Sequence, residues 1–102
     1  MIHVIATIEV KPGQRAAMLA EFQNVVAPTR AEAGCLEYGP AVDIESGLGA
    51  QGPVRADVLM VVEKWESLDA LKAHLQSAHM LAYRERVQDM VQSARLQVLQ
   101  PA

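Results

Sequence analysis

The chain is short of the residues from which many functional sites are built. Its 102 residues include one cysteine, one tryptophan, one phenylalanine, two tyrosines and three histidines. Cys35 alone cannot close an intrachain disulfide, and it offers no CxxC pair for a metal or a redox cycle. With no His or Lys within several residues to activate it, its expected role is a small buried hydrophobe in a reducing, cytoplasmic setting. Positive charge is also scarce, with nine Lys and Arg against twelve Asp and Glu for a net charge of −3. Arg84, Arg86 and Arg95 are separated by Glu85 and Asp89, so no basic stripe forms and a nucleic-acid partner is excluded. The longest apolar run, VLMVV at 58 to 62, is far too short for membrane insertion. The opening MIHVIATIEV has no basic region and meets Glu9 early, so it does not read as a secretion signal. The glycines fall into neither GxGxxG nor GxxxxGK, and no repeat or heptad array is present.

What is present is a hydrophobic fraction of 51% with 21% charged residues, the balance of a chain that folds around one core as a single domain over 1–102. Ile2, Val4, Ala6, Ile8 and Val10 alternate with His3, Ile5, Thr7 and Glu9, which predicts a first strand. From Gln14 the spacing becomes helical, with Ala16, Leu19, Phe22 and Val26 as the stripe. Gly34 is a suitable stop, and Pro28 predicts a kink or an end near Ala27. An extended segment, CLEYGPAVDIE, follows, with a bulge or edge bend expected at Gly39-Pro40. The glycine-rich stretch at 46 to 55 reads as a long hairpin connection, and a strongly apolar strand follows from about Ala56 to Trp65. Ser67 caps a short helix with Leu68, Leu71 and Leu75; Ser77 caps another with Met80, Tyr83, Val87, Met90 and Val91. ARLQVLQP closes the chain as a strand.

The order βαββααβ predicts an α+β, ferredoxin-like sheet with helices on one face. The strands are apolar on both faces, so the second face calls for cover, and a second copy of the chain, as an isologous homodimer, is the simplest partner.

Residues 63 to 83, EKWESLDALKAHLQSAHMLAY, hold the only Trp, two of the three His and one of the two Tyr. Glu63 and Trp65 share a strand face. His74 and His79 are five apart and diverge on a continuous helix, but a break at Gln76-Ser77 lets both face one cavity, with Tyr83 one turn beyond His79. Each residue also has a structural reading, Trp65 and Tyr83 as packing residues and the histidines as helix-end caps. Spacing five across a cap is not a zinc motif, and no carboxylate neighbours either His in sequence, so no metal is expected. His3 and Tyr38 lie outside this segment, and Tyr38 remains open between packing and function.

MIHVIATIEVKPGQ, EAGCLEYGPAVD, VEKWESLDALKAHLQSAHMLAY and LQVLQP together make the chain resemble the antibiotic biosynthesis monooxygenase superfamily, closest to its small bacterial quinol monooxygenases. The most specific part is Glu63, Trp65, Ser67, Leu71, His74 and His79. The resemblance implies two ferredoxin-like protomers forming a dimeric α+β barrel with a pocket between sheet and helices. It also implies oxidation of quinols or similar electron-rich aromatics by O2 without flavin, haem or metal, coupled in redox cycling to a quinone reductase. In that setting His79 and His74 are the candidate base and hydrogen-bond partner, in either order. Tyr83 is a donor to a ring oxygen, Glu63 an orienting acceptor, and Trp65, Tyr38, Met60 and Met80 are walls for a small aromatic substrate. The superfamily's haem-degrading members use an Asn on the first strand and a Trp on a helix. Here the only Asn is Asn24 and the only Trp lies on a strand, so haem is not expected. Two other readings stay open on the same barrel, a non-catalytic dimer binding small aromatics and a cofactor-free isomerase or decarboxylase.

Overall fold

The computed structural model describes all 102 residues. Its elements are β1 (Ile2–Val10), α1 (Arg15–Arg30), β2 (Cys35–Ala41), β3 (Val58–Trp65), α2 (Leu68–Leu75), α3 (Ala78–Val87) and β4 (Val91–Leu99). The four strands form one antiparallel sheet in the order β2-β3-β1-β4. This is the expected α+β, ferredoxin-like arrangement. No helix is long and apolar enough to cross a membrane.

Alternation along the central strands sets the two faces of the sheet. On β3, Leu59, Val61, Glu63 and Trp65 are buried, while the residues between them are exposed or only partly covered. Val4, Ala6 and Val10 of β1 join Leu59, Val61 and Trp65 in one core cluster with Met18, Phe22, Val25 and Val26 of α1, Leu71 of α2, and Met80, Tyr83 and Val87 of α3. The other face carries Ile5, Thr7, Met60 and Val62 at its centre, and no helix covers it.

Several local expectations are corrected by packing. α1 does not end near Ala27 but runs through Pro28 to Arg30. Proline removes one backbone bond near the helix end, and the last turn is held by Val25, Val26 and Thr29, all buried. The buried stripe of α1 is Met18, Phe22, Val25, Val26 and Thr29; Ala16 is exposed and Leu19 only partly covered, a rotation that puts Met18 on the core. β2 is an edge strand, as Pro40 requires, yet Gly39 and Pro40 pair regularly with Val62 and Val61. The irregularity falls between Cys35 and Glu37 instead. Ser67 caps α2 by accepting from the Ala70 N–H at 3.1 Å. Ser77 occupies the N-cap position of α3 but makes no side-chain cap; its hydroxyl donates to the His74 carbonyl at 2.8 Å. α3 ends at Val87, so Met90 lies in the turn and Val91 begins β4. Residues 42–57 carry no strand or helix, and Arg55 clamps the base of this connection on both oxygens of Asp43, at 2.8 and 2.9 Å.

The tightest approach between elements is at Gly34. Its φ is +83°, and a Cβ built there would lie 2.6 Å from the Cβ of Ala70 on α2. The Gly34 carbonyl also accepts from the Glu66 N–H at 2.8 Å, tying the α1–β2 turn to the β3–α2 turn. Gly34→Ala therefore meets both left-handed backbone strain, on the order of 1–3 kcal/mol, and a side-chain clash. Urea denaturation is expected to show a large stability loss. Adding Ala70→Gly restores only the part that comes from the clash.

Candidate active site

A cavity of about 530 Å³ lies between the covered face of the sheet and the helices, and thirteen of its eighteen lining residues are hydrophobic. Its interior is formed by Ala6 and Val61 of the sheet, Met18 and Phe22 of α1, and Met80, Tyr83 and Val87 of α3. All of these are buried. Among the exposed lining residues, Arg84, Gln88, Ala94 and Leu96 mark its mouth, between α3 and β4. β4 opens there because no helix covers it: Ala94 and Leu96 pair with Ile8 and Ala6 on the helix side of the sheet, yet remain exposed.

Four polar groups from four different elements converge on this apolar space. Tyr38 and Glu63 are cross-strand partners of β2 and β3, His74 comes from the last turn of α2, and Tyr83 from α3. Glu63 is 5% exposed, and one of its oxygens accepts from the Trp65 indole N–H at 2.9 Å. Burial pushes its carboxyl up to about 7, with the indole hydrogen bond opposing and the negative charge of Glu32 adding to the rise. Burial also raises both phenols, Tyr83 to about 12 and Tyr38 further. The Tyr83 phenol O–H meets only a thioether, 4.0 Å from Met18 Sδ, whereas that of Tyr38 lies 3.9 Å from Met80 Sδ and also within hydrogen-bonding reach of the Thr29 side chain. Sulfur is a weak acceptor, so the Tyr83 hydroxyl is available to a ligand oxygen.

His74 is 1% exposed, and burial holds it below the ordinary imidazole range, against the opposing hydrogen bond and charge of Glu32. Its Nδ1 donates to Glu32 Oε2 at 2.6 Å. With Nδ1 engaged, the nitrogen left for the cavity is Nε2, and in the neutral ring it carries the lone pair. Trp65 lies beneath the imidazole with ring centroids 4.7 Å apart, and Tyr38 meets its edge at 5.2 Å. Tyr38 in turn stacks on Phe22, which meets Tyr83 edge-on.

The helix break at Gln76-Ser77 is present, but it sends the two histidines to different surroundings. His74 lines the cavity, whereas His79 does not and is 27% exposed at its side chain. Both face Glu32: His79 Nε2 is 3.2 Å from the same carboxylate oxygen, 3.2 Å from Thr29 Oγ1 and 3.4 Å from Ser77 Oγ. The donor atoms of Glu32, His74 and His79 all lie within 4.8 Å of one another, a set that can hold a metal ion. Glu32 is the residue that sequence reasoning missed. It lies 42 positions before His74, on the turn after α1, and the Gly34–Ala70 approach explains their meeting, since Ala70 and His74 are one turn apart on the same face of α2.

The remaining candidates separate by face. Met80 lines the cavity. Trp65 is fully buried behind Glu63 and His74, and it supports them without bordering the cavity. Met60 is one residue out of phase with Leu59 and Val61, so it lies on the opposite face of the sheet, near Arg55. His3, paired with Lys64 and Leu99, is also on that face. Cys35 has its thiol pushed up, first by burial and then by Glu32 and Glu63, which is the reverse of activation.

Comparison with known proteins gives a consistent set of relatives. The antibiotic biosynthesis monooxygenase family profile matches residues 1–86. A relative in Escherichia coli (strain K12), the probable quinol monooxygenase YgiN, is 41% identical over 99% of this chain and 98% of its own. Among solved structures, PA3566 from Pseudomonas aeruginosa superposes with a TM-score of 0.81 at 29% identity, covering 99% of this chain and 93% of that one. Rv0793 from Mycobacterium tuberculosis gives 0.81 at 29% identity, with 99% and 94% covered.

The raised carboxyl of Glu63 has a measurable consequence. Between its ordinary value of 4.5 and about 7, the folded state holds a proton that the unfolded state has released. Stability from this group is full below that window and is lost as pH rises through 7. The urea midpoint of the wild type is therefore expected to fall between about pH 5 and about pH 8 more steeply than that of Glu63→Gln, which stays neutral throughout. Parallel pH profiles would remove the assignment.

Proposed function

The chain belongs to the antibiotic biosynthesis monooxygenase family, and from that premise we propose that it is a cofactor-independent quinol monooxygenase using O2, with His74 as the general base. The observation that carries this reading is the Glu32–His74 pair at the edge of an apolar cavity with aromatic residues on its lining. O2 in its triplet ground state reacts slowly with closed-shell molecules. A deprotonated quinol is a far better one-electron donor, so the protein's main task is to take a proton and hold the anion away from water.

His74 suits that task. Burial keeps it neutral and Glu32 orients the tautomer, leaving Nε2 to accept the phenolic proton while the carboxylate stabilises the imidazolium that forms. Tyr38 and Tyr83 donate to ring oxygens, and Glu63 contacts the opposite oxygen as acceptor when ionised or donor when protonated. Electron transfer from the quinolate to O2 and recombination at a ring carbon give a hydroperoxide, which loses water. For a naphthoquinol the balance is quinol plus O2 to hydroxynaphthoquinone plus water. A quinone reductase is the class of enzyme that supplies the quinol, and the lone, unactivated thiol suits a cytoplasmic setting. His79, outside the cavity, takes the role of second donor to Glu32.

O2 uptake by chelator-treated protein given a chemically reduced naphthoquinol, corrected for autoxidation, tests the reading. Uptake proportional to protein is expected, with His74→Ala lowering it by about 10²-fold or more and His79→Ala by less. Saturable binding with no uptake above the control would identify a non-catalytic aromatic-binding protein. Loss in His79→Ala equal to that in His74→Ala would remove the order assigned to the two histidines.

The uncovered sheet face supports the second part of the reading, an isologous homodimer forming an α+β barrel. Ile5, Met60 and Val62 are apolar side chains at its centre, and Val62 is 39% exposed in the single chain. Light scattering at micromolar concentration is expected to give twice the chain mass, and Val62→Glu is expected to shift the protein toward monomer. A wild-type monomer would end this part.

A further inference from the structure

Most arginines in this protein have an acceptor. Arg15 donates to the carbonyls of Arg55 and Val58, Arg30 to that of Tyr38, Arg55 pairs with Asp43, and Arg86 with Glu21. Arg84 and Arg95 have neither an ion pair nor a side-chain hydrogen bond, and both border the cavity. Their positions differ. Arg95 stands opposite Thr7 on the uncovered side of the sheet, where it borders a separate depression with Glu9 and Ser93. Arg84 belongs to the cavity: Met80 and Arg84 of α3 and its C-cap Gln88 follow one another at helical spacing and all line it.

Arg84 is exposed at the mouth, and its charge is among those felt at His74 inside. The only acid on the lining is Glu63, on the sheet beneath; Glu85 and Asp89 follow Arg84 in sequence without bordering the cavity. An unpaired guanidinium thus sits where an apolar cavity meets water, on a protein whose net charge of −3 repels anions elsewhere.

Resting on the quinol reading of the same cavity, we propose that Arg84 is a specificity residue for an anionic substituent, and that the substrate class is an aromatic quinol carrying a ring carboxylate. The ring enters the apolar interior and the carboxylate stays at the mouth on the guanidinium, in the two-point geometry that Arg offers a carboxylate. That placement leaves the carboxylate partly hydrated, so it does not bear the full cost of burial, while the adjacent low-dielectric wall strengthens the attraction. Its charge is permanent, unlike the phenolate that forms only when His74 takes a proton.

The test uses redox-stable probes, a hydroxynaphthoate and its methyl ester, titrated calorimetrically into the 102-residue protein. Neither probe requires turnover, so the result is independent of O2 uptake. The wild type is expected to bind the carboxylate about tenfold or more tightly than the ester. Arg84→Gln is expected to bring the two within about twofold, and Arg84→Glu to favour the ester. Arg84→Lys retains part of the preference, which also weakens in high salt. Equal wild-type affinities, no carboxylate binding at millimolar concentration, or a preference that survives Arg84→Gln would each overturn the proposal. Carboxylate preference without O2 uptake from any quinol would leave Arg84 as an anion anchor and remove the oxidation chemistry.

Discussion

The site is organised by the close approach of α2 to the turn that follows α1. Gly34 has no side chain to hold the helix off, so Ala70 rests on its backbone. One turn later, His74 comes down onto the Glu32 carboxylate at 2.6 Å. The orientation of the imidazole follows from that contact. The carboxylate fixes which imidazole nitrogen is engaged and leaves the other for the cavity, and the same turn presents Glu32 to His79. Trp65 completes the support by lying under the imidazole and donating to Glu63. One indole therefore sets the position of two ionisable groups without touching the cavity itself.

Burial then separates the properties of these groups. Glu63 and His74 are both taken out of water, and desolvation disfavours the charged form of each, raising the acid and lowering the base. Near neutral pH this brings a carboxyl to the midpoint of its titration and keeps an imidazole neutral, both on the lining of one apolar cavity. Under the proposed chemistry the neutral imidazole is the group that takes a proton, and the apolar lining keeps water from the reacting anion. The phenol of Tyr83, facing only sulfur, adds a donor that loses little when a ligand oxygen arrives.

Much of the fold was legible from periodicity, since burial on one face leaves a period of two on β1 and β3. It failed where packing overrode a local rule. Pro28 did not end α1, because the cost of one lost backbone bond is met by burying Val25, Val26 and Thr29. The core stripe of α1 rotated toward Met18, a residue that periodicity alone did not separate from its neighbours. Ser77 had the composition of a cap, but its hydroxyl found the His74 carbonyl instead. Met60 was misplaced because its strand is apolar on both faces, so composition did not say which face looks toward the helices.

The segment from 63 to 83 could be recognised as unusual from its sequence alone, because its scarce aromatic and imidazole side chains are crowded into one stretch. Local spacing also carried the helix break that frees His79 from the line of His74, and the βαββααβ order that puts helices over one sheet face. The sequence by itself determined those local matters, since strand alternation, caps and breaks depend on neighbours a few positions away. Only the tertiary structure decided that Glu32 holds His74, that His74 and not His79 borders the cavity, and that Arg84 stands unpaired at its mouth. Each of those depends on the side chains that surround a residue in space, and a partner 42 positions away leaves no periodic trace in a single chain.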